Sequence, residues 1–144
     1  MDILNAYKYI IVVIASWFVA QLLKCAFHSI KTRQFNLKEA LFTSGGMPSS
    51  HTAVIVSITT LIGLTQGLKS PMFGLAFAVM LIIFYDAVKV RKSVGDQAVL
   101  IGKLLKEQGS KLKAPRVVRG HTIAEAFAGA SVGIIIALVV FITT

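Results

Sequence analysis

The run AFAGASVGIIIALVVFITT, Ala126 to Thr144, carries no charged side chain along its whole length. A helix of about 20 mostly apolar residues crosses the hydrocarbon core of a bilayer, and this run reaches that length with one turn of flanking sequence. Three other stretches read alike: Tyr9 to Leu23, Ala40 to Leu68 apart from His51, and Ser70 to Tyr85. With 56% of residues hydrophobic and only 15% charged, the chain is too apolar for an ordinary soluble domain. It reads as one integral membrane domain covering residues 1–144.

The expected fold is all-α: a polytopic transmembrane bundle of about four spans, roughly 5–27, 50–67, 71–90 and 121–141, with basic loops at 28–45 and 91–119. The first span lacks a small-x-small cleavage site, so it reads as a retained helix. Ser57, Thr59, Thr60, Thr65 and Gln66 make the second span only moderately apolar. A helix of that kind belongs inside a bundle, where its hydroxyls bond to a neighbour or to its own backbone. Gly67 to Pro71 reads as a tight turn. Within the second loop, Val94, Ala98, Ile101 and Leu105 recur at helical spacing opposite Asp96, Lys103, Lys106 and Glu107, so Ser93 to Gln108 reads as a short interfacial amphipathic helix. Gly109 to Arg119 reads as a mobile basic loop. Gly129 and Gly133 give the last span a small face for close helix packing. A homo-oligomer is left open.

Of the 15 Lys and Arg, 13 fall in two stretches, Lys24 to Lys38 and Lys89 to Arg119. Four spans place both stretches on one side, which the positive-inside rule makes cytoplasmic, with both termini outside. A bacterial plasma membrane is the expected location. No base-stacking aromatics interleave the cations, so nucleic acid is excluded in favour of anionic lipid head groups. The single cysteine, Cys25, excludes an internal disulfide and reads as a small buried residue.

Two blocks place chemistry at the starts of spans. In Gly45-Gly46-Met47-Pro48-Ser49-Ser50-His51 a glycine turn leads into a proline expected at the first helical position, with Ser49 and Ser50 in the first turn. Such a helix start offers free N–H groups to an anion, or is simply capped by its serines. In Gly120-His121-Thr122-Ile123-Ala124-Glu125, His121 and Glu125 at i and i+4 meet on one face if both are helical. That pair reads as a nucleophile with its orienting carboxylate, a structural hydrogen bond, half a metal site or a proton relay. Two histidines, a carboxylate and several cations suit phosphoryl transfer, one imidazole attacking and the other protonating the leaving alkoxide. Lys24, Asp86 and Arg91 fall on the same side as both histidines. The planar fork of Arg91 suits phosphate, with Asp86 pairing with it or with Lys89.

On these residues the chain resembles the type 2 phosphatidic acid phosphatase superfamily, related to acid phosphatases and vanadium-dependent haloperoxidases, and more closely its divergent branch of small membrane proteins. Pro48-Ser49-Ser50-His51 looks like that superfamily's Pro-Ser-Gly-His block, and His121-x-x-x-Glu125 like the closing His-x-x-x-Asp of the next. Lys31-Thr32 stands where Arg-Pro would follow Lys24, and Ala114-Pro115 where Ser-Arg would precede His121. The resemblance implies a lipid-phosphate phosphatase without metal or other cofactor. In it His121 is the nucleophile, Glu125 orients it and His51 protonates the leaving group. Lys24, Ser49 and Ser50 would hold the phosphate. Beyond the resemblance, Arg91, Arg116 or Arg119 is the candidate for the missing cation, with Asp86 and Gly46 as supporting residues. The alternative is a non-hydrolytic lipid-phosphate binder or transporter that keeps the anion pocket; a metal or proton transporter using His51, His121 and Glu125 is the third reading.

Overall fold

A computed structural model describes residues 3–32, 46–117 and 120–144. Arg119 and most of the loop expected at 28–45, including Arg33, lie outside the described residues. The described chain is helical: α1 (Ile3–Thr32), α2 (Ser50–Gln66), α3 (Pro71–Tyr85), a π-helical turn (Asp86–Val90), α4 (Arg91–Glu107) and α5 (Ile123–Thr143).

α2 is the hub. It packs on α1, α3 and α5, and α1 also touches α5. Among the described residues three helices are long and apolar enough to cross a membrane: residues 4–30, the continuous 71–107 and 123–143. The fourth expected span, α2, has only 17 residues and is held among the others. Its polarity explains its place. Ser57 bonds to Ser16 on α1 at 2.9 Å, Thr59 to its own Ile55 carbonyl at 2.7 Å, and Thr65 to the Tyr9 hydroxyl at 2.8 Å. Each hydroxyl is thereby satisfied without water. Val12, Leu61, Ala137 and Val140 close a dry core between α1, α2 and α5.

Backbone contact needs small residues, and α5 supplies them. A Cβ at Gly129 would lie 2.3 Å from the Ser49 carbonyl oxygen, and one at Gly133 would lie 2.4 Å from that of Ala53. α3 buries none of its residues, as a helix facing lipid would, and reaches α5 through an edge-to-face contact of Phe84 with Phe127.

Two expectations about helix limits change. Pro48 lies before the helix, because Ser49 takes the N-cap and accepts the Thr52 N–H. The third span does not end at residue 90: no glycine or proline interrupts residues 75–94, so α3 runs through the π turn into α4. The amphipathic helix expected at 93–108 is present as α4, but it continues the third span instead of standing apart from it. Beyond Gly109 (φ +61°), the chain turns back along α4, with Ala114 near Gly102 and Gly120 against Lys92.

Candidate functional site

The antiparallel order of the bundle brings the end of α1, the start of α2, the π turn and the start of α5 to one end. Ser49 ties two of them: its N–H donates to the Glu125 carbonyl at 3.1 Å, and its buried hydroxyl accepts from the Thr52 N–H and hydroxyl. The Ser49 hydroxyl is thus occupied by capping. Ser50 is also buried, in the first turn.

His121 is not helical, contrary to the i, i+4 reading; it stands just before the N-cap of α5. It meets Glu125 nevertheless, Nδ1 to Oε2 at 3.2 Å, because Glu125 reaches back over the helix start. Thr122 and Glu125 form a capping box, with the Thr122 N–H donating to Oε2 at 3.0 Å and the Glu125 N–H to the Thr122 hydroxyl at 3.2 Å. The His121 N–H donates to the Ala87 carbonyl at 2.9 Å. The ring is 7% exposed. Burial holds its pKa below the ordinary histidine value, against the opposing pull of Glu125 and with help from the cations Lys24 and Arg91. Burial and the two cations thus favour the neutral ring.

His51 lies on the exposed side of α2, and the ionisable groups acting on it are Arg91, His121, Lys24 and Asp86. Both imidazoles, both cations and the Asp86 and Glu125 carboxylates thus form one electrostatic cluster. Arg91 Nε donates to Asp86 Oδ2 at 2.7 Å, so Asp86 takes Arg91 rather than Lys89. The Lys24 stem lies against Gly46, where an added Cβ would sit 3.3 Å from its Cε; Gly46 also has φ +89°, which favours glycine. Every described residue expected at the site is at this end. Among the described residues, no group of three His, Cys, Asp or Glu side chains converges as metal ligands.

A groove of about 680 Å³ opens beside His121, walled by Lys89, Lys92, Asp96, Val99, Val117 and Ile123 among others. His51, Lys24 and Arg91 do not line it, so the charge cluster, rather than the groove, defines the site. Sequence reasoning overlooked Thr122, whose Thr-x-x-Glu spacing is a readable capping signature. It also passed over the Ala87 carbonyl, which no side-chain pattern marks.

A family model described as the Divergent PAP2 family matches residues 6–136. An uncharacterized membrane protein of Bacillus subtilis (strain 168), YuiD, is 34% identical over 145 aligned positions, covering 88% of this chain and 89% of its own length. No solved structure matches.

Proposed function

Because the chain belongs to the Divergent PAP2 family and is an integral membrane protein, we propose that it is a lipid-phosphate phosphatase working through a phosphohistidine. The observation that carries this reading is a buried His121 with Nδ1 against a carboxylate, sharing a cationic cluster with a second histidine. Glu125 accepts the Nδ1 proton and so leaves the Nε2 lone pair for attack. As the Nε2–P bond forms, the P–O bond to the lipid alcohol breaks, and His51 delivers a proton to the departing oxygen. Water then attacks the phosphohistidine with His51 as base, releasing phosphate and restoring both rings. Arg91, Lys24 and the start of α2 at Ser50 neutralise the equatorial oxygens. An amphiphile suits the place: its tail stays in lipid while its head meets the basic end. We place that end on the cytoplasmic side of a bacterial plasma membrane, by the excess of Lys and Arg there.

Purified protein in vesicles releases phosphate from a lipid phosphate monoester or diphosphate, and vanadate inhibits it. His121→Ala and His51→Ala each reduce release to background. Release by both variants at the wild-type rate rejects the scheme.

Ala114-Pro115, standing where the superfamily has Ser-Arg, favours a second reading: a binder or carrier that holds the same head group without hydrolysis. Saturable binding of a lipid phosphate with no phosphate released on long incubation selects it.

A further inference from the structure

The join between α3 and α4 is one residue longer than an α-helix allows. The Arg91 N–H donates to the Asp86 carbonyl, five residues back, instead of to Ala87, four back. The Ala87 carbonyl therefore loses its α-helical donor. Its oxygen is taken by the His121 N–H at 2.9 Å, a bond from a distant segment that a regular helix would have no free acceptor to make. The same extra residue sets the ion pair. On a regular helix residues five apart point about 140° away from each other, whereas Asp86 and Arg91 meet at 2.7 Å. A third contact lies beside the first two: a Cβ at Gly120 would fall 2.5 Å from the Lys92 nitrogen and 2.9 Å from its Cα, so only glycine lets the chain seat here.

We propose that the π-helical turn Asp86–Val90 is the positioning device of the site: its extra residue offers the Ala87 carbonyl to hold the His121 backbone and turns Arg91 toward Asp86, fixing the imidazole and the guanidinium to one rigid turn. Gly120 and Ala87 are thereby positioning residues that act through His121, and Asp86 acts through Arg91. The inference rests on His121 and Arg91 sharing the site proposed above. Such a link has a chemical use, because a group misplaced by about 1 Å loses much of its effect on a transferring phosphoryl group.

The test reads His121 directly in the full-length protein. Hydrogen exchange follows its amide, and a pH titration by nuclear magnetic resonance follows its ring, assigned by substituting each of the three histidines in turn. Two variants are compared with wild type: Gly120→Ala, which drives a methyl group into the Lys92 backbone, and deletion of Val88, which restores a regular helix. In each, protection of the His121 amide falls about tenfold, as loss of one buried hydrogen bond implies. Its ring, released from burial, titrates nearer the ordinary histidine value, although Glu125, Lys24 and Arg91 keep their charges and His51 still titrates beside it. A simple loss of stability lowers the unfolding temperature without moving the ring titration of the folded state. If deletion of Val88 prevents folding, Gly120→Ala alone decides. A folded variant with His121 protected and titrating as in wild type overturns the proposal. Phosphate release is measured on the same samples: its absence from wild type rejects the phosphatase reading, while the two His121 readings still decide the positioning.

Discussion

At the scale of single residues, His121 concentrates the consequences. Its ring is buried and its pKa is lowered, so the unfolded chain takes up a proton near the ordinary value of about 6.5, while the folded chain does so only at lower pH. The stability this histidine contributes is therefore fully present above about pH 6.5 and is lost as pH falls through that value toward the folded pKa. Thermal unfolding in detergent between about pH 7.5 and 5 shows a decline in wild type, and His121→Gln flattens it; an unchanged slope in the variant contradicts the assignment. Glu125→Gln keeps the shape of the pair and removes its charge. Phosphate release falls by about two orders of magnitude, in the range of a lost orienting or acid–base partner, with little change in substrate affinity. The His121–Glu125 pair was legible in the sequence, but its reason was not. The two residues meet across a capping box, and His121 lies outside the helix that the spacing seemed to place it on.

Elements explain how these residues converge. α5 meets α2 at backbone distance because Gly129 and Gly133 have no side chain, and the same approach lets the Ser49 N–H reach the Glu125 carbonyl. Gly133→Ala forces the helices apart and costs about 1–3 kcal/mol, as overpacking does. Gly74 in α3 has nothing within 4 Å of an added Cβ, so Gly74→Ala leaves the unfolding temperature unchanged or raised. Equal effects from the two substitutions refute the α2–α5 contact. The polar residues of α2 announced a shielded helix, and the hydroxyl bonds of Ser57, Thr59 and Thr65 bear that out. The join of α3 to α4 was illegible for a physical reason. A π turn arises from a choice of hydrogen-bond partner, not from a side-chain pattern, and residues 86–90 hold no helix breaker.

Across the whole molecule, the helix order puts the chemistry of four separate segments at one end and a dry core of Val12, Leu61, Ala137 and Val140 toward the other. The apolar runs made the all-α membrane class readable from the sequence, and the two short blocks marked the end at which to look. How closely the blocks converge depended on α2 being the hub, which hydropathy alone does not encode. On the topology proposed above, the basic end would face the cytoplasm. In cells, Lys106→Cys in a Cys25→Ser background resists a membrane-impermeant thiol reagent until the membrane is opened; ready labelling of intact cells reverses the topology. The most direct test of the phosphoryl-transfer site is to mix the purified protein with a lipid phosphate, quench in alkali, where phosphohistidine survives, and locate the label by mass spectrometry. The account predicts one phosphoryl group on His121 in the wild type and none in His121→Ala. Phosphate released at the wild-type rate by His121→Ala, with no label on His121 in the wild type, would contradict it.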